Sequence, residues 1–154
     1  MPILRVPKHQ LSDKIGYQFK PSAWVTLSQE RINAFADCTE DHQFIHIDKK
    51  KAASTPLGGT IAHGFLTLSL LAEMSKDCGL EPINMRMALN YGLDRVRFLA
   101  PVRAGKRVRA HYQVTDVRDK GDNRYLIKYQ VRVEIEGEET PALVAESLLM
   151  TYAD

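Results

Sequence analysis

Two residue types that carry protons in catalysis stand close together in one short stretch, Asp41-His42-Gln43-Phe44-Ile45-His46. A carboxylate and an imidazole can together orient and deprotonate a water molecule. Further along, Ala62-His63-Gly64 opens the most apolar helical stretch of the chain. The first N–H groups of a helix have no partner inside it, and Gly64 puts no side chain in front of its own. An acid–base pair and a helix N-terminus aimed at one place suit chemistry on a carbonyl compound, whose oxygen gains negative charge as it reacts.

The elements that must position these groups can be read from periodicity. Ser28 is a good N-cap, Glu30 falls in the first turn behind it, and Ile32, Phe35 and Ala36 recur at helical spacing, so residues 29–38 are expected to form an amphipathic helix. Asp48 is expected to cap a second short helix over residues 49–53, with its lysines in solvent. Residues 54–59, with Pro56 and a Gly-Gly pair, read as a loop, and residues 60–62 as a short extended piece. Residues 64–78 read as one long helix, apolar on nearly every side and therefore buried, stopped by Gly79. Before all of these, Pro2, Pro7, Gly16 and Pro21 punctuate an irregular arm over residues 1–21, and residues 24–27 read as a short strand.

After Pro82 the period changes from helix to strand. Met87, Leu89, Tyr91 and Leu93 alternate, then the phase slips at Asp94-Arg95, the mark of a β-bulge or a change of strand partner. Further alternations run through Val108 to Val114 and Tyr125 to Ile135, with turns at Pro101 to Gly105, at residues 119–123 and around Gly137. Residues 142–152 are apolar on both faces, as in a central strand or an interface. The sum is an α+β chain in which an antiparallel sheet wraps a long central helix. The sheet's remaining edge or face needs cover, so a homodimer is expected.

Composition narrows the classes. The 154 residues are enough for one domain, 1–154, with a real core. A net charge of +2 with scattered Lys and Arg argues against a nucleic-acid or membrane surface while tolerating an anionic small ligand. Cys38 and Cys78 form no C-x-x-C pair and are expected to be reduced, partly buried thiols of a cytoplasmic protein. The first residues lack the apolar run of a signal peptide, and no run reaches the length of a membrane span. The histidine spacing fits no common zinc pattern, so no metal is expected.

The stretch Asp41-x-x-x-Ile45-His46, with Asp48 behind it and Ala62-His63-Gly64 at the head of an apolar helix, resembles the MaoC-like, (R)-specific enoyl-CoA hydratases of the hot dog fold, from about Ser28 to the C-terminus. Their motif reads D-x-N-P-[IL]-H. Here Gln43-Phe44 replaces Asn-Pro, which is similar to the branch named after nodulation protein N. Gln43 can hydrogen-bond as Asn does, whereas Phe44 lacks proline's fixed φ and must hold the turn by packing. The resemblance implies that Asp41 and His46 activate water, that the Gly64 N–H receives the enolate oxygen, and that Gln43, Phe44, His63 and Ser69 line the substrate site. It implies an acyl-CoA or acyl-carrier thioester as substrate and no cofactor beyond the coenzyme A thioester itself.

Each of these residues also has a structural reading. Asp41 and His46 would also serve as a turn-capping carboxylate and a packed histidine. His63 reads better as a bond to backbone near the helix start than as a catalyst, and Gly64 can serve tight packing alone. Ser69 can reach a pocket or bond its own helix. His42 is expected to face solvent. Arg95, Arg97 and Arg103 could meet coenzyme A phosphates, though solvated strand-edge charges are the simpler expectation. Two rival functions remain: a hot dog thioesterase, for which Glu73 is the candidate carboxylate, and a non-catalytic acyl-thioester binder or partner subunit, hinted at by Gln43-Phe44.

Overall fold

The computed structural model describes residues 3–154; Met1 and Pro2 of the expected arm lie outside it. The arm is not wholly irregular. A short strand, β1 (Leu4–Val6), pairs in parallel with β3 (Leu80–Pro82). The arm then passes through two 3-10 turns and runs along β5 (Arg107–Asp119), where Gly16, Phe19 and Ser22 donate to the carbonyls of Val114, Tyr112 and Ala110.

A five-stranded sheet carries the fold. Its order is β2 (Val25–Thr26), β5, β6 (Arg124–Ile135), β7 (Leu143–Ala153) and β4 (Met85–Phe98), and each neighbour is antiparallel. β5, β6 and β7 form an antiparallel meander, in keeping with the expected antiparallel sheet. β4 crosses over to lie beside β7, which places the doubly apolar β7 inside the sheet. The slip at Asp94-Arg95 is a register shift between Asp94 and Arg97, with Arg95 at φ 51°.

One face of the sheet is buried by alternate residues, Val108, Ala110, Tyr112 and Val114 on β5, and Ile127, Tyr129, Val131, Val133 and Ile135 on β6. Against it lies the central helical stretch. The expected single helix over 64–78 is instead α4 (Gly64–Ser69), α5 (Leu71–Met74) and a 3-10 turn over Ser75–Asp77. Serines tighten it: the Ser69 hydroxyl donates to Leu66 O (2.7 Å) and the Ser75 hydroxyl to Ala72 O (3.0 Å), both three residues back. Gly79 does not adopt the left-handed conformation of a glycine stop, and the turn closes through Cys78 N–H donating to Ser75 O. Tyr112 Oη donates to Leu71 O (2.8 Å) and Leu80 N–H donates to Tyr129 Oη (3.0 Å), tying the helical stretch and its exit to the sheet.

The helix is not buried all round. Phe65 is 71% exposed, and the apolar side chains of Met87, Leu89, Tyr91 and Leu93 along β4 are exposed too. The β5 edge is covered by β2 and the arm, whereas β4 ends the sheet with one edge unpaired among the described residues. Cys78 is buried, but Cys38, near the end of α1 (Gln29–Thr39), is exposed, contrary to the expectation of two partly buried thiols. Among the described residues no helix is long and apolar enough to cross a membrane.

Candidate active site

Three helical pieces separated by capping carboxylates build the first half of the site. α1 (Gln29–Thr39) starts at Ser28, whose hydroxyl accepts from Arg31 N–H (3.2 Å), and ends at Glu40 in the left-handed conformation. That reversal brings Asp41 out of the helix. Asp41 Oδ1 accepts from the Gln43 N–H (3.3 Å), closing a turn that launches α2 (Phe44–Ile47). Asp48 then caps α3 (Lys49–Ala53) by accepting from Lys51 N–H (2.9 Å). The turn is therefore held by backbone and carboxylate. The Gln43 side chain, expected to bond as an asparagine would, makes no hydrogen bond among the described residues. Phe44 packs half-buried, with Lys51 Nζ 4.5 Å from its ring centre.

His46 is 6% exposed and held from two sides. Its Nδ1 donates to the Ile61 carbonyl (2.8 Å), and its ring stacks on His63 with centroids 3.7 Å apart. A carbonyl only accepts, so Nδ1 carries the proton and Nε2 keeps its lone pair. Burial pushes the His46 pKa down, the hydrogen bond to Ile61 opposes it, and the neighbouring His63 adds to the fall. His46 is thus prepared as a neutral base.

His63, 2% exposed, donates from Nε2 to the Asp41 carbonyl (3.0 Å), which ties the head of α4 to the Asp41 turn. Its Nδ1 is buried with no donor among the described residues. The ligating atoms of Asp41, His46 and His63 all lie within 4.8 Å of one another. The set has the donor types of a metal site. However, His46 Nδ1 and His63 Nε2 are each committed as donors to a carbonyl, which suits an acid–base cluster better than a closed coordination shell. The Asp41 side chain is 52% exposed, so its carboxylate opens to solvent on one side.

Gly64 follows His63 directly as the first residue of α4, and no group among the described residues accepts its N–H. A Cβ there would meet the Phe98 ring at 3.0 Å. A cavity of about 250 Å³ touches Gly64, Thr67, Phe98 and residues 99–102, but not Asp41 or His46. Ser69, besides its bond to Leu66, lines a second cavity of about 370 Å³ with Phe65, Asn90, Tyr91 and Ser147.

Other candidates fall elsewhere. His42 is half-exposed and hydrogen-bonds Asp37 (2.9 Å), which raises its pKa. Arg103 is not free for phosphate: Nη1 and Nη2 donate to the carbonyls of Leu57 (2.6 Å) and Gly58 (2.7 Å), where side chains at Gly58 or Gly59 would strike it. Glu73, the thioesterase candidate, is half-exposed and pairs with Lys76, about 13 Å along the helix from Gly64. Sequence reading missed Gln29 and Thr60, which bond each other across the site (2.5 Å). A glutamine at a helix start and a threonine in a loop carry no signal of their own.

The curled antiparallel sheet around a central helical stretch, with an acid–base cluster at the head of that stretch, is the architecture of a hot dog hydratase or dehydratase. The chain matches the MaoC-like domain over residues 10–138 and belongs to that family of dehydratases. Nodulation protein N from Rhizobium leguminosarum bv. viciae is 46% identical over 153 residues, 95% of this chain and 94% of its own. A 3-hydroxyacyl-thioester dehydratase Z from Mycobacterium tuberculosis (strain ATCC 25618 / H37Rv) is 45% identical over 143 residues, 93% of this chain and 94% of its own. The solved (R)-hydratase from A. caviae involved in PHA biosynthesis superposes with a TM-score of 0.71 at 23% identity, covering 88% of this chain and 94% of its own, and shares the fold.

Proposed function

We propose that the protein adds water reversibly to a trans-2-enoyl thioester, giving an (R)-3-hydroxyacyl thioester. The observation that carries the reading is His46, locked as a neutral base beside Asp41 at the foot of an unpaired helix N-terminus. The water is oriented by the Asp41 carboxylate and gives a proton to His46 Nε2 as its oxygen attacks the β-carbon. The electron pair of the double bond moves toward the thioester oxygen, which the Gly64 N–H receives; one such donor is worth about 3 kcal/mol. The proton held by His46 then goes to the α-carbon, so the net change is one water added and the site is restored. The steps ask for no metal or redox cofactor. The thioester class is supported by the dehydratase relative at 45% identity. Glu73, turned to solvent and paired with Lys76, favours this reading over the thioesterase.

The test is loss of the conjugated thioester absorbance when purified protein meets short and medium trans-2-enoyl-CoA. Rapid loss is expected. Tight acyl-CoA binding with no loss at any chain length would move the assignment to a non-catalytic binder.

The working unit of this reading is a homodimer. Tyr91 and Leu93 on the outer strand β4 line one cavity with Phe65, and all three stay exposed, an apolar edge that a second copy would cover. Leu93→Asp places a charge in that edge. It is expected to shift sedimentation from dimer to monomer and to cut turnover with it. A native chain that sediments as a monomer at micromolar concentration would remove the dimer.

A further inference from the structure

We propose that Gln29 and Thr60 form a positioning pair that sets the place of the His46 imidazole, by bridging the carbonyl end of α2 to the segment that leads into α4. The inference rests on the reading of His46 as the water-activating base.

Gln29 is the first residue of α1, and its amide works in both directions. Nε2 donates to the His46 carbonyl (2.7 Å) and to Asn33 Oδ1 (2.9 Å), while Oε1 accepts from the Thr60 hydroxyl (2.5 Å). α2 is a single turn ending at Ile47, so its last carbonyls need donors from outside the helix. Gln29 supplies one at the residue whose side chain does the chemistry. Thr60 is 5% exposed, and its own carbonyl accepts from Ala104 N–H (2.9 Å), which anchors it to the connection between β4 and β5.

The bridge completes a seam. One residue beyond Thr60, Ile61 donates its N–H to Ile45 O (3.0 Å) and its carbonyl accepts the His46 ring (2.8 Å). Backbone bonds fix the direction of the two segments, and the Gln29 amide fixes the distance between them. The ring bond to Ile61 and the stack on His63 both depend on that distance. If the bridge is removed, α2 can slide, the ring loosens from Ile61, and water reaches it. A misplacement of about 1 Å in a catalytic group can lower the rate on the order of a hundredfold. The Gln29–Asn33 bond is the ordinary contact between residues four apart on a helix, worth a few tenths of a kcal/mol, and helix support alone would not call for the other two bonds.

The test compares Gln29→Ala, Gln29→Glu, Thr60→Val and, as control, Asn33→Ala. Glu keeps an acceptor for Thr60 but has no N–H for the His46 carbonyl, and Val keeps the shape of Thr without its hydroxyl. Two readouts are taken: kcat and KM on a trans-2-enoyl-CoA, and the pH titration of the His46 ring followed by NMR in labelled protein, which needs no turnover. Gln29→Ala and Gln29→Glu are expected to lower kcat by about ten- to a hundredfold with KM within about twofold. In both, His46 should titrate closer to its ordinary value of 6.5. Thr60→Val should move both readouts the same way by less, and Asn33→Ala should move neither. Native kcat and native His46 titration in folded Gln29→Ala would overturn the proposal. So would a loss confined to KM, or a fall in kcat without a shift of the His46 titration. If Gln29→Ala does not fold, Gln29→Glu and Thr60→Val decide by the same criteria. If the native protein turns over no enoyl thioester, the reading of its function fails, and the NMR titration alone still decides whether the pair positions His46.

Discussion

His46→Ala is expected to lower kcat for hydration of a trans-2-enoyl-CoA by about a thousandfold, within the range that a positioned proton acceptor contributes. The fold should survive. His46 sits on a one-turn helix whose backbone bonds, from Ile61 N–H to Ile45 and from Asp48 N–H to Phe44, do not involve its ring. The loss is the stack on His63 and the Nδ1 bond to Ile61, so a fall of a few degrees in melting temperature is expected. Asp41→Asn is the cleaner companion. Its amide oxygen can still accept the Gln43 N–H, so the turn stays closed and a comparable loss of activity would report the missing charge. Retained turnover in either variant, measured per folded molecule, removes that residue from the reaction.

The native pH profile follows from the same geometry. Burial lowers the His46 pKa, so the neutral base is present down to a pH below the ordinary imidazole value of 6.5. The acid limb of kcat/KM should therefore fall below pH 6.5. The sign for stability is the same. The unfolded chain takes up the proton first as pH drops, so the contribution of neutral His46 is present above 6.5 and is lost as pH falls through the lowered folded value.

Much of the fold was legible because its segments obey local rules. The alternation from Tyr125 to Ile135 is a strand with one face on the core, and the serine and aspartate caps at Ser28 and Asp48 are local hydrogen bonds that a sequence displays directly. What was not legible is set by partners far away in the chain. Alternation gives β4 a face but not a neighbour, and only closure of the sheet puts it beside β7. The apolar run of the central helix suggested burial all round, whereas Phe65 continues the uncovered face of β4. The site divides the same way. Asp41 and His46 announce themselves by type and spacing, and His63-Gly64 by standing at a helix head. That the Ile61 carbonyl fixes the His46 tautomer, that Gln29 reaches His46 and Thr60, and that Arg103 serves loop carbonyls are contacts between segments that no spacing encodes.

Gly64→Ala is expected to lower kcat by about a hundredfold with a much smaller effect on stability. A helix tolerates alanine better than glycine by up to about 1 kcal/mol, so intrinsic propensity favours the variant. Against that, the new methyl would stand 3.0 Å from the Phe98 ring. Phe98 is about half exposed, at the end of an edge strand, and can swing outward, so the fold can absorb the contact. The N–H of residue 64 cannot absorb it as easily. Its use as an oxyanion donor needs the thioester oxygen to arrive within hydrogen-bond distance, and either the methyl or the displaced ring crowds that approach. A misplacement of about 1 Å is enough for the expected loss. A preserved melting temperature with reduced kcat would assign Gly64 to the reaction. Normal kcat in the folded fraction with a lowered melting temperature would assign the glycine to packing against Phe98, and the enolate oxygen would need another donor.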